Sequence, residues 1–217
     1  MKALRNHTLT IVFGVLFLGT LVAQMFVGAA DFNALQVAHH GDPISVWRYI
    51  RSSDFATDVL ENWQSEYLQF TLFILGTVWL LQRGSPESKA LDKAGRESDS
   101  DQKVGEHADE DSPKWARAGD WRTRIYSNSL VIVMGAIWFA SWLGQSIGGH
   151  VAYNGQRADH QQPALGYLEY IGSADFWNRT LQNWQSEFLA VGSMAVLAIY
   201  LRQRGSPESK PVGAPHS

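Results

Sequence analysis

Two stretches of the chain carry no charged residue. Leu9 to Ala30 reads LTIVFGVLFLGTLVAQMFVGAA, and Leu130 to Gly149 reads LVIVMGAIWFASWLGQSIGG. Each is about 20 residues, the length an α-helix needs to cross a hydrocarbon core of about 30 Å. Two shorter apolar runs, Tyr67 to Leu81 and Phe188 to Leu201, each continue upstream through polar residues that suit a helix. The pattern predicts four transmembrane helices. A soluble four-helix bundle is the competing expectation, and uncharged runs this long disfavour it. Lys2 and Arg5 before the first run and Gly28-Ala29-Ala30 at its end resemble a cleaved leader. The length of the run and its mid-chain counterpart favour a retained helix instead.

The chain also repeats itself at a constant offset of 121 without a gap. Gln24 matches Gln145, Asn33 matches Asn154 and His39 matches His160. Tyr49-Ile50 matches Tyr170-Ile171, and Asp54-Phe55 matches Asp175-Phe176. The run Asn62-Trp63-Gln64-Ser65-Glu66 recurs as Asn183-Trp184-Gln185-Ser186-Glu187, and QRGSPESK from Gln82 recurs unchanged from Gln203. About a third of the aligned positions are identical, which marks a duplicated helix–loop–helix unit. The expected fold is an all-α integral membrane protein of two tandem, parallel hairpins with outward helical extensions, related by a pseudo-two-fold axis along the membrane normal. Residues 1–89 form the first two-span repeat and 122–217 the second. Residues 90–121, rich in Asp, Glu, Ser, Gly and Lys, form a flexible acidic cytoplasmic linker. Trp115 and Trp121 mark where the chain returns to the membrane surface.

Finer elements follow from local signals. Ser52-Ser53-Asp54 and Ser173-Ala174-Asp175 offer N-caps for the second helix of each repeat, which in the first runs from about 54 to 82. Residues 44–51 are expected to form a short interfacial helix with Trp47 and Tyr49 toward lipid. Gly84-Ser85-Pro86-Glu87 and its copy read as a helix stop, then a Ser N-cap and a Pro opening a new helix. Lys and Arg cluster before the first run, after the second, before the third and after the fourth. That bias places both termini and the linker in the cytoplasm, with loops 32–60 and 151–181 outside.

Composition then narrows the function. The chain has 217 residues, net charge -3, 9 Trp and no Cys. No Cys excludes disulfides, thiolate metal sites and Cys nucleophiles. Near-neutral charge leaves no basic stripe for nucleic acid. There is no phosphate-binding glycine loop and no Ser elbow. The chemistry that remains is polar and sits near the outer membrane surface. Asn62 and Glu66 share a helix face, as do Asn183 and Glu187. Gln24 and Gln145 lie in apolar spans and need partners. Together the six form an expected polar cluster for a proton or cation, with Trp63 and Trp184 as interface anchors. His39 and His160, with nearby carboxylates, are the weaker expectation for a metal. No cofactor is indicated.

The doubled N-W-Q-S-E-[YF] and R-G-S-P-E-S-K motifs resemble those of a family of small bacterial four-span membrane proteins of unknown function. The resemblance covers nearly the whole chain, implies an inner-membrane protein and carries no functional residue with it. The expected function is a non-enzymatic membrane module, either a cation- or proton-linked conduit or an assembly partner of an envelope complex. The alternative is a metal-dependent membrane enzyme using the outer His and carboxylates. Expected partners are the lipid bilayer and either a second copy or another membrane protein.

Overall fold

The computed structural model describes residues 5–216. Lys2, part of the charge bias above, lies outside them. The described elements are helical, with no strand among the described residues. We label them α1 (Thr8–Ala38), α2 (Val46–Tyr49), α3 (Ser53–Trp79), α4 (Trp121–Ser127), α5 (Ser129–Asp159), α6 (Tyr167–Ile171) and α7 (Ala174–Tyr200). Two of them, α1 and α5, are long and apolar enough to cross a membrane. Helices α3 and α7, at 27 residues each, have the length but lack a sufficiently apolar stretch. Their first halves carry Asp54, Asp58, Glu61 and Glu66, and Asp175, Arg179 and Glu187. The two apolar helices support membrane association; the four-span count is not a finding of the fold.

The chain divides into two compact units, described separately. The first holds α1, α2, the start of α3 to Leu60, α5 from Gly144, α6 and the start of α7. Its apolar centre is Ala29, Tyr49 and Phe55, packed by Leu21, Met25, Phe32, Ile44 and Val59. Each loop in this unit is anchored the same way. Asn33 Nδ2 donates to the Ile44 carbonyl at 2.9 Å, and the Ile44 N–H donates back to Asn33 Oδ1 at 2.8 Å. Asn154 makes the same pair with Leu165, at 3.0 and 2.9 Å. Two backbone groups of an otherwise unpaired loop are thereby satisfied by one side chain. Ser52 and Ser173 each accept the N–H three residues on at 3.3 Å, which starts α3 and α7. Of the N-cap candidates, these two make the bond.

The short helix expected at 44–51 is α2, but one expectation about it is corrected. Trp47 is exposed, whereas Tyr49 is buried at 2% exposure. Its ring stands edge-on to Phe55, 5.4 Å away, and its hydroxyl occupies the space where Gly28 has no Cβ. Tyr170 repeats this against Phe176 and Gly149. The lack of a side chain on α1 and α5 at these points admits the ring. Burial, followed by the charges of Asp58 and Asp54, pushes the Tyr49 phenol up to about 12.

The second unit holds the rest of α3, α5 and α7, the linker and α4. The two QRGSPESK copies fold alike. Gly84 and Gly205 take φ of 84° and 86°, a left-handed turn that favours Gly. Gln82 N–H donates to Ser88 Oγ at 2.8 Å, and Gln203 N–H to Ser209 Oγ at 2.9 Å. The expected helix after Pro86 does not form. Ser85 Oγ instead accepts the Glu87 N–H at 3.3 Å, closing a local turn in place of an N-cap. Within residues 90–121 the chain makes two 3-10 turns, Gly105–His107 and Ala116–Ala118. The Gly95 N–H reaches back to the Val78 carbonyl at 2.7 Å. Trp115 and Trp121 meet edge to face at 6.0 Å, and Asp120 caps α4 by accepting the Arg122 N–H at 2.8 Å.

Candidate functional site

In the second unit, α3 and α7 are tied by two polar contacts. Arg179 pairs with Glu61 at 3.2 Å. The Trp184 indole N–H donates to Gln64 Oε1 at 2.8 Å. Gln64 Nε2 in turn donates to the Glu61 carbonyl at 3.1 Å, so its amide bridges its own helix and α7. This ion pair is half-buried, and a pair of this kind contributes little, about 1 kcal/mol. The bridging amide contributes more, because Gln64 is fully buried and its loss would strand the indole.

The burial pattern rotates the face that the motif presents. In the first copy Gln64 and Ser65 are buried, while Asn62, Trp63 and Glu66 are exposed. In the second copy Asn183, Trp184 and Glu187 are half-buried, and Gln185 and Ser186 are exposed. Of the two anchors, Trp63 points outward at 38% exposure, whereas Trp184 is held by Gln64. Asn183 donates to the Arg179 carbonyl of its own helix at 2.9 Å. Glu66 and Glu187, repeat mates, lie within electrostatic reach of each other.

The remaining members of the expected cluster, Gln24 and Gln145, belong to the first unit. Gln145 is fully buried, and Gln24 is half-buried. His39 and His160, also in that unit, are exposed and stand edge to face with centroids 5.7 Å apart. His160 Nδ1 is 2.8 Å from the Gln156 carbonyl, which fixes its ring. No group of three or more metal-binding side chains occurs among the described residues. Sequence reasoning missed the structural roles of five polar residues: Gln64, Glu61, Arg179, Asn33 and Asn154. Asn33 and Asn154 carried a signal, since Asn recurs in both copies near the end of the first long helix of each, among residues that differ. The Glu61–Arg179 pair carried none, because neither residue recurs in the other repeat.

The fold and these contacts define a helical protein with two helices able to cross a membrane and a polar seam between α3 and α7. Over residues 1–217 the chain matches the domain of unknown function DUF6766, and it belongs to that family. Comparison with curated proteins and with solved structures yields no match.

Proposed function

We propose that this chain is a four-span, non-enzymatic protein of a bacterial inner membrane whose outer polar seam takes up a proton or cation. The observation that carries the reading is the polar tie between α3 and α7, where the Trp184 indole N–H donates to the buried Gln64 and Arg179 pairs with Glu61. Glu66 and Glu187 belong to the same two motif copies, and like-charged carboxylates near each other favour a shared proton or a bound cation. Other repeat mates also meet within their own units: His39 with His160, and Glu87 with Glu208. Contacts between mates support a pseudo-two-fold relation of the hairpins. Spanning by α3 and α7 is supported by their apolar second halves and by the Lys and Arg bias at their ends. The same bias supports cytoplasmic termini and linker, with the linker as a tether between the repeats. A metal enzyme built on His39 and His160 has two imidazoles and, among the described residues, no third ligand group.

The test is a titration of the purified protein in detergent. Thermal stability of the wild type and of Glu66→Gln/Glu187→Gln is followed against pH and against sodium or calcium concentration. The expected result is a wild-type dependence that the double variant loses. Superimposable curves overturn the seam and leave assembly with another membrane protein as the function.

A further inference from the structure

A second feature of the second unit lies away from this seam. Between α3 and α7 opens a cleft of about 440 Å³, a size ordinary for a ligand pocket. Leu72, Phe73 and Leu80 line it from α3 and beyond, and Phe188, Val191 and Ala195 from α7. Its polar end is the first QRGSPESK turn, with Gln82, Ser85, Glu87 and Ser88.

The cleft exists because the repeats diverge here. Phe70, Thr71 and Ile74 of α3 correspond, 121 residues on, to Val191, Gly192 and Ala195. Val191, Gly192 and Ala195, which line the cleft from α7, are each smaller than their mates. Gly192 is the informative one. A glycine inside a helix costs roughly 1 kcal/mol relative to Ala, and it usually earns its place by letting something approach closely. A Cβ at Gly192 would meet nothing within 4 Å, and one at Gly76, across the cleft, would meet only Leu80 at 3.5 Å. These glycines keep space open and pack nothing against themselves.

Among the residues lining this cleft, Glu87 is the charged one. Glu87 and its mate Glu208 face each other electrostatically, and among the described residues neither is ion-paired. Lys89, beside Ser88, is already held by Glu97 at 3.0 Å. Arg83 is exposed. Burial first, then Glu208, holds the Glu87 carboxyl above its ordinary value, so a positive charge at this mouth would relieve both.

We infer that the cleft between α3 and α7 binds one bilayer lipid with an amine head group, its hydrocarbon chain lying between Gly76 and Gly192 and its ammonium at Glu87. This rests on α3 and α7 spanning the bilayer, which brings the cleft to hydrocarbon and the turn to the head-group level. The full chain is placed in phosphatidylglycerol nanodiscs doped with photoreactive phosphatidylethanolamine or, separately, with photoreactive phosphatidylglycerol of the same chain. Cross-linked residues are mapped by mass spectrometry. The amine lipid is expected to label residues 69–80 and 188–195 about fivefold more than the glycerol lipid, the ratio that an ion pair of about 1 kcal/mol gives. Glu87→Gln, a change in the turn beyond α3, should bring the two to one level. Gly192→Leu should remove both. Equal labelling by the two lipids in the wild type, or labelling that survives Gly192→Leu, overturns the inference. Labelling of a cysteine placed at Asp99 in intact cells reports the spanning topology separately, so failure of the lipid site and failure of the topology are told apart.

Discussion

Residues 28–55 and residues 149–176 are built alike. In each, an Asn on the first long helix clasps both backbone groups of a loop residue, a Tyr from a short helix enters beside a Gly, and a Ser starts the next helix on a Phe that packs under the Tyr. Residues 70–74 and 191–195 hold equivalent positions and share almost nothing. The difference follows from what each region requires. A loop needs particular donors and acceptors at particular places, and few side chains supply them. A helix face in an apolar setting needs only volume, and volume can be traded away to leave a cleft.

The largest effects should come from the Gly–Tyr contacts. Gly28→Ala and Gly149→Ala each place a Cβ against a buried Tyr hydroxyl, and each should destabilise the protein by roughly 2–3 kcal/mol. Tyr170→Phe combined with Gly149→Ala should recover part of that loss, measured by thermal unfolding in detergent. Strict additivity would show that the ring does not occupy the glycine site.

Smaller effects separate the two anchors. Asn33→Leu strands the backbone groups of Ile44 and should cost about 2 kcal/mol. Asn154→Leu should cost about half as much, because the Leu165 carbonyl keeps a second contact, with His150 Nε2 at 2.8 Å. His150 has no counterpart, its mate being Ala29. Equal losses would mean that His150 gives no support, and His150→Ala in the Asn154→Leu background reads that directly.

The smallest effect tests how far the likeness extends into the backbone. His40 and Gln161, again mates, sit at φ of 62° and 55° just beyond α1 and α5. Glycine adopts this conformation without a Cβ clash. His40→Gly and Gln161→Gly should therefore each raise stability by up to about 1 kcal/mol. A loss at either position would mean that its side chain holds the loop.

The long helices were legible from the sequence because their signal is long. Uncharged runs point to α1 and α5, and a Ser cap followed by helix-compatible polar residues and an apolar run points to α3. Helix α3 ends at Trp79, earlier than the expected 82, because the Gln82 N–H is taken by Ser88 in the turn. What failed were orientations. Amphipathic character directs Tyr49 to lipid, yet the missing Cβ at Gly28 of α1 decides its place. The rotation of the N-W-Q-S-E face failed for a related reason. Periodicity puts Asn62 and Glu66 on one side, but it does not say whether that side or the Gln64–Ser65 side faces α7. The helix after Pro86 failed because the Ser hydroxyl has two local choices and the turn satisfied more groups.

One consequence of α1 is mechanical. Its only buried residue is Ala29, and its packing against the apolar centre begins at Leu21. The apolar packing of α1 is thus gathered in the half that also carries Asn33, the residue that clasps Ile44. For a helix crossing a bilayer, tilt is the usual answer to a change in hydrocarbon thickness. A tilt of α1 that pivots on this half leaves the clasped loop and its buried tyrosine where they are.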